Sequence, residues 1–173
     1  MDIIRQAIRD IPDFPKPGIL FKDITPLLLD PRLGKLIVEE FIDKLQGTKV
    51  DAILGVESRG FLFGYLLAVE MDLPFIPVRK SGKLPSKTIG VEYALEYGTA
   101  KVEMHEDALK PGMNVIIHDD LLATGGTAAA AAQLATMMKA SVSAFTFVVE
   151  LDFLNGRKAL NEYSDNIISL VNY

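Results

Sequence analysis

Val115-Ile116-Ile117-His118-Asp119-Asp120-Leu121-Leu122-Ala123-Thr124-Gly125-Gly126-Thr127, followed by Ala128 to Ala132, decides the fold of this 173-residue chain. The run opens as a buried strand, meets two adjacent carboxylates and passes through a Thr-Gly-Gly-Thr turn into an alanine-rich helix. A helix N-terminus offers unpaired backbone N–H groups and the positive end of the helix dipole, which suits a phosphate. Gly125 and Gly126 let the backbone approach that phosphate, and the hydroxyls of Thr124 and Thr127 can donate further bonds, with Ala123 completing the turn. Asp119 and Asp120 are acceptors at a strand end, suited to paired hydroxyls or to a hydrated metal ion. Phosphate on one side and vicinal hydroxyls on the other describe a ribose 5-phosphate. No Gly-x-x-x-x-Gly-Lys-[Ser/Thr] and no Gly-x-Gly-x-x-Gly is present, so ATPase and dinucleotide readings lose their main support.

Outward from that run, strands alternate with helices. Asp30-Pro31 has the chemistry of a helix start, and Leu33, Leu36, Ile37, Phe41 and Leu45 follow at helical spacing as far as Gly47. Val50–Val56 is a short apolar strand and Gly60–Met71 a mostly apolar helix. Pro74–Val78, Met113–His118 and Ser141–Val149 read as strands, with a helix over Thr127–Lys139 between the last two. This alternation predicts an α/β fold with a mostly parallel twisted sheet and helices on both faces. Ligands in such sheets sit beyond the carboxyl ends of the strands, which predicts residues 51–59, 79–83 and 119–127 on one edge.

Residues 79–105 break the pattern. Arg79-Lys80-Ser81-Gly82-Lys83-Leu84-Pro85-Ser86-Lys87 is basic and rich in breakers, while Tyr93–Tyr97 and Lys101–Met104 look like the arms of a hairpin. Such an insert is either a solvated surface loop or a flexible lid able to close on an anion. Glu57-Ser58-Arg59-Gly60-Phe61 follows the first core strand. Arg59 can make a forked bond to phosphate oxygens or a structural salt bridge.

Composition limits the alternatives. A chain of 173 residues is read as one domain. The net charge of −5 argues against nonspecific nucleic-acid binding. No apolar stretch is long enough for a membrane span, and the N-terminus lacks the pattern of a signal peptide. With no cysteine there is no disulfide, thiolate metal site or thiol nucleophile, which agrees with a cytoplasmic location.

The Val115–Thr127 run resembles the signature of the type I phosphoribosyltransferases, which bind 5-phosphoribosyl-1-pyrophosphate (PRPP). Further segments are similar to the adenine phosphoribosyltransferases: Phe14–Thr25, Glu57–Phe61, Arg79–Pro85, Leu95–Gly98 and Glu150–Arg157. The resemblance implies a purine-salvage transfer of the phosphoribosyl group from PRPP to adenine, giving AMP and pyrophosphate, with Mg²⁺ held mainly through substrate oxygens and water. It also implies a homodimer, an N-terminal base-recognition segment over about residues 1–30 with Phe21 stacking on the purine, and a lid over about 79–105. On this resemblance Asp119, Asp120 and Ala123 to Thr127 take the ribose and its 5-phosphate. Glu57, Ser58, Arg59, Arg79, Lys80, Lys83 and Tyr97 form the pyrophosphate and lid side, and Glu96 with Arg59 is catalytic, Glu96 handling the adenine proton. Two departures are Lys22, where the family more often has arginine, and His118, where it usually has an apolar residue. Strand alternation predicts that His118 faces away from Asp119 in a structural role, bonded to backbone or water, and a surface role is expected of His105. The nearest alternative is a different purine, since enzymes for 6-oxopurines share the Asp-Asp and Thr-Gly-x-Thr elements, although their base-recognition pattern is not found here. A regulatory module that binds PRPP or a nucleotide without catalysis is the alternative from another class.

Overall fold

Apolar runs from distant parts of the chain meet at the centre of one sheet. The computed structural model describes residues 2–94 and 98–173. A short helix α1 (Asp2–Ala7) leads into a two-stranded antiparallel pair, β1 (Arg9–Pro12) and β2 (Leu20–Asp23). Helix α2 (Pro31–Lys44) follows, started by Asp30, whose side chain accepts a hydrogen bond from the Arg32 N–H as the sequence chemistry requires. Then come β3 (Ala52–Val56), α3 (Gly60–Glu70), β4 (Phe75–Lys80), β5 (Thr88–Ala94) and β6 (Thr99–His105). The chain closes with β7 (Asn114–Leu122), α4 (Gly126–Met137), β8 (Ser141–Glu150) and β9 (Ile167–Asn172).

Among the described residues the main sheet has seven strands in the order β5-β6-β4-β3-β7-β8-β9. Strands β4, β3, β7, β8 and β9 are parallel, while β6 runs antiparallel to both β4 and β5. Side chains alternate between two apolar layers, as strand geometry demands. Ala52, Leu54, Val56, Val115, Ile117, Phe145 and Phe147 pack with α4 on one face. Ile53, Ile116, Ala144 and Val148 pack with α2 and α3 on the other. The mostly parallel sheet with helices on both faces is therefore present as expected.

Three features differ from the sequence expectation. Strand β7 continues through both acids to Leu122, because β8 pairs with it as far as Leu122↔Glu150. The hairpin arms are β5 and β6, so the first arm begins five residues earlier than Tyr93, and β6 joins the main sheet at Arg79↔Glu103 and Lys80↔Val102. The insert is thus rooted in the sheet by backbone pairing, and its residues 95–97 lie outside the described set. Finally, β9 extends the sheet beyond β8, an element the periodicity did not announce. Among the described residues no helix is long and apolar enough to cross a membrane.

The chain winds from β3 to β4 in one direction and from β7 to β8 in the other. The order therefore reverses between β3 and β7, and a crevice at their carboxyl ends follows from that reversal. Residues 57–59 and 119–122 flank it. Asp51 does not belong to this edge: it precedes β3 at the opposite end, where its carboxylate accepts from the Asn114 backbone N–H (2.7 Å) and side-chain Nδ2 (3.0 Å).

Candidate functional site

Two cavities adjoin at the crevice. The larger, about 550 Å³, is lined by Glu57, Ser58, Arg59, Lys80, Lys83, Tyr93, Asp119, Asp120 and Thr127, among others. The smaller, about 70 Å³, is enclosed by Leu121 to Ala128 with Asp119 and Phe147. Asp119, Leu121 and Thr127 touch both. The structure therefore brings together the acid pair, the Thr-Gly-Gly-Thr turn and the Glu57–Arg59 loop.

The small cavity is a backbone cradle. Gly125 caps α4 with φ +83°, a left-handed conformation that L side chains rarely adopt. The N–H groups of Gly126, Thr127 and Ala128 have no acceptor within the helix and open toward the turn. The loop after β8 presses on this cradle. A Cβ on Gly125 would lie 2.5 Å from the Gly156 carbonyl oxygen, and one on Gly156 would lie 2.3 Å from that of Ala123. Arg157 anchors that loop through a forked pair with Glu150, Nε to Oε1 at 2.7 Å and Nη2 to Oε2 at 2.6 Å. Ser169 of β9 donates to the same Glu150 carboxylate at 2.6 Å. Burial would raise the Glu150 carboxyl, but the bonds from Arg157 and Ser169 outweigh it and hold its pKa below the usual value.

The acid pair is asymmetric. Asp119 Oδ1 accepts from the Asp120 N–H at 2.8 Å, and its pKa is pushed well up by burial and by the neighbouring Asp120 charge. Asp120, only 5 % exposed, pairs with Arg59 Nε at 2.7 Å. Gly60 permits this approach, since a Cβ there would meet Asp119 Oδ1 and the His118 carbonyl at 2.9 Å. The Arg59 guanidinium also lies 5.3 Å from the centre of the Phe21 ring, which Phe14 meets edge-on at 5.1 Å. Phe21 is half-buried and sits beside Arg59 rather than in the cavity wall.

The basic loop is not free. Glu57 Oε1 accepts from Arg79 Nη2 and Lys83 Nζ, both at 3.0 Å, and Oε2 accepts from the Lys80 N–H at 3.0 Å. Burial opposes ionisation of Glu57, yet these donors hold its pKa down at about 2. Arg79 and Lys83, expected from sequence as cations aimed at substrate, both pair with the single Glu57 carboxylate, which leaves the trio with a net positive charge. Among the described residues that line the cavity, Lys80 has an exposed side chain that makes no ion pair. The peptide between Glu57 and Ser58 is cis.

His118 is fully buried, 2.9 Å from Thr146 Oγ1 and edge-on to Phe41, and burial drives its pKa to about 3. It lines neither cavity, in keeping with the alternation, and its partner is a side-chain hydroxyl rather than backbone or water. His105 is half-buried rather than exposed, and it sits at the end of β6, opposite Thr88 of β5. Lys22 turns away from the cavities: it pairs with Asp10 at 2.6 Å and caps the Tyr173 ring at 3.7 Å. Glu96 and Tyr97 lie outside the described residues. Sequence reasoning missed Tyr93, whose hydroxyl accepts from Thr127 Oγ1 at 3.2 Å, and Gly156. Tyr93 lay in a predicted hairpin arm and Gly156 in the Glu150–Arg157 segment of the resemblance, but neither was read as part of the site.

A carboxyl pair with one member disfavoured from ionising would be eased by a cation arriving from the cavity. Among the described residues no three acids or histidines cluster into a protein-only metal cage. Asp119 and Asp120 therefore fit a Mg²⁺ ion that takes most of its ligands from substrate and water.

The family model described as phosphoribosyl transferase domain matches residues 28–170. The chain is 54% identical over 170 residues to the adenine phosphoribosyltransferase of Cytophaga hutchinsonii, covering 98% of this chain and 94% of that one. A crystal structure of the adenine phosphoribosyltransferase from Thermoanaerobacter pseudethanolicus superposes with a TM-score of 0.96 at 49% identity, covering 99% of each chain. That from Saccharomyces cerevisiae, complexed with adenine and an imino-altritol 1,6-bisphosphate, gives 0.93 at 41% identity over 98% of this chain and 97% of that one.

Proposed function

The chain belongs to the adenine phosphoribosyltransferase family, and from that premise we propose how its residues carry the transfer of a phosphoribosyl group from PRPP to adenine, giving AMP and pyrophosphate. One observation carries the reading: the Asp119–Asp120 pair stands between a phosphate-sized backbone cradle and a polar cavity edged by Arg59 and Lys80. The cradle of Ala123 to Thr127 takes the 5-phosphate, and the two acids take the ribose hydroxyls. Ser58, Arg59 and Lys80 face the leaving pyrophosphate, with Arg79 and Lys83 reaching it through the charge they share with Glu57. Adenine stacks on Phe21, which Arg59 flanks.

As the bond from the anomeric carbon to the pyrophosphate oxygen breaks, the electron pair leaves with that oxygen and the ribose turns cationic. The adenine ring nitrogen forms the new bond and gives up its proton, which Glu96 accepts or relays, while Tyr97 shapes the pocket. The acids stabilise the cationic sugar, and the basic residues stabilise the growing negative charge on the leaving group. Asp119 and Asp120 would hold a hydrated Mg²⁺ beside the substrate, where it would offset part of the pyrophosphate charge.

One domain over 1–173, with base recognition in about 1–30 and a lid in about 79–105, agrees with this division. A cytoplasmic homodimer completes the proposal. Helix α3 supports the dimer, since Leu62, Tyr65, Leu66 and Val69 recur at helical spacing and stay 41–58 % exposed while its opposite face is buried.

The test is a spectrophotometric assay with PRPP, Mg²⁺ and adenine, hypoxanthine or guanine in turn. Adenine is expected to be used better by about four orders of magnitude, because a site that bonds an exocyclic amine leaves groups unpaired against a 6-oxopurine. Comparable efficiency with hypoxanthine would overturn the assignment.

A further inference from the structure

Glu103 lies outside both cavities, yet it is buried at 6 % exposure and fully engaged. One oxygen accepts from Ser81 Oγ at 2.5 Å, the other from the Gly82 N–H at 3.0 Å, and Lys101 Nζ stands 3.0 Å away. The neighbouring strand makes room for this. Gly90 pairs with Glu103 across β5 and β6, and a Cβ there would meet Lys101 Cε at 2.3 Å and Glu103 Cγ at 3.1 Å. Glu57 grips the same basic turn from the other side through the Lys80 N–H and the Arg79 and Lys83 side chains. The Ser81 N–H is taken by the Lys101 carbonyl at 3.1 Å. Residues 80–83 are therefore clamped between two buried carboxylates, and the Lys80 side chain is left facing the cavity.

We infer that Glu103 is a positioning residue for the pyrophosphate end of the site. It fixes the Ser81-Gly82 turn, and through it the approach of Lys80 and Lys83 to a diphosphate. The inference rests on the proposed transfer reaction and adds to it a residue that touches no reacting atom. Its consequence is selective, because the turn serves the diphosphate while the 5-phosphate cradle and Phe21 belong to other elements. Loss of the clamp therefore weakens pyrophosphate and PRPP and spares AMP, which carries no diphosphate.

The experiment compares the whole protein with Glu103→Gln and Ser81→Ala in the presence of Mg²⁺. Affinities for inorganic pyrophosphate and for AMP are measured by calorimetry, together with KM and kcat. Glu103→Gln keeps size but loses the charge of the acceptor, and hydrogen bonds to charged groups justify an expected fall of about tenfold in pyrophosphate affinity. KM for PRPP rises similarly, and AMP affinity stays within about twofold. Ser81→Ala changes an exposed residue that removes only one bond to Glu103, so it folds even if Glu103→Gln does not. It should shift pyrophosphate alone by about threefold, as expected for part of a charged bond. Equal losses for AMP and pyrophosphate in both variants would mean a merely structural residue, and unchanged affinities would mean no role. Failure of the unsubstituted protein to bind either ligand would instead overturn the transfer reaction itself, and the inference with it.

Discussion

Thr127 illustrates how one side chain serves two neighbours. Its hydroxyl sits at the first turn of α4, where a phosphate would meet it, and it donates to Tyr93 on the hairpin. Tyr93 lines the larger cavity and lies 3.5 Å from where a Gly126 Cβ would stand, so it packs against the mouth of the cradle. If the two hydroxyls act together on the 5-phosphate, their removals are coupled. Thr127→Val and Tyr93→Phe should each weaken AMP binding several-fold, and the double variant should lose less than the sum. Residues in one hydrogen-bond network couple by roughly 0.5–3 kcal/mol. Fluorescence or calorimetric titration of AMP with the four proteins measures this directly, and strict additivity would detach Tyr93 from the phosphate.

Elements, rather than single residues, hold the cradle in shape. The loop between β8 and β9 seats Gly156 against the carbonyl of Ala123, and the Glu150–Arg157–Ser169 network fixes the loop's root. Gly156→Ala cannot be absorbed by a flexible side chain, because the obstructing atom is backbone oxygen. Overpacking of this kind costs about 1–3 kcal/mol, so the melting temperature should fall by several degrees. AMP affinity should fall with it while pyrophosphate affinity holds, the reverse of the pattern expected for Glu103→Gln. Helix α3 makes a second claim at this scale. Its exposed stripe of Leu62, Tyr65, Leu66 and Val69 is the face a second copy would cover. Leu66→Lys should convert a dimer to a monomer in sedimentation or light scattering with the far-ultraviolet dichroism unchanged. A monomeric unsubstituted protein would remove this interface.

The whole molecule carries a pH dependence written by buried carboxylates. Asp23 is held at about 2 by the Thr25 hydroxyl and Arg9, Glu57 at about 2 by its donors against burial, and Glu103 at about 2 by Ser81, the Gly82 N–H and Lys101. Ordinary values are 3.8 for Asp and 4.5 for Glu. A folded-state pKa below the unfolded one gives stability that is present above the unfolded value and lost as pH falls toward the folded one. These three groups therefore stabilise the protein above about pH 4.5 and withdraw that support between there and about 2. Asp119 has the opposite sign, since its raised pKa disfavours the folded state once the carboxyl must ionise. Thermal melts between pH 7 and pH 3 should show a drop beginning near 4.5, shallower when Glu57 and Glu103 are both replaced by Gln. A flat profile would mean that these ion pairs contribute nothing net.

The alternation of apolar runs from Val50 onward was enough to specify the parallel sheet, because burial on both faces of a strand leaves a contiguous signature. The backbone cradle was equally legible, since its strand, turn and helix start lie within thirteen consecutive positions from Val115 to Thr127. His118 was placed by the two-residue period alone. What the sequence could not decide depends on groups far apart in the chain. Arg79 and Lys83 read as free cations until the fold set them 3.0 Å from Glu57, 22 and 26 positions away. Tyr93 and Thr127 are 34 positions apart, and the Glu103 clamp needs the hairpin folded back beside β4. Gly156 has meaning only where two loops cross. Periodicity and local motifs report what a residue's neighbours in sequence require, whereas charge compensation and close backbone approach exist only after crossover connections bring distant strands to one edge.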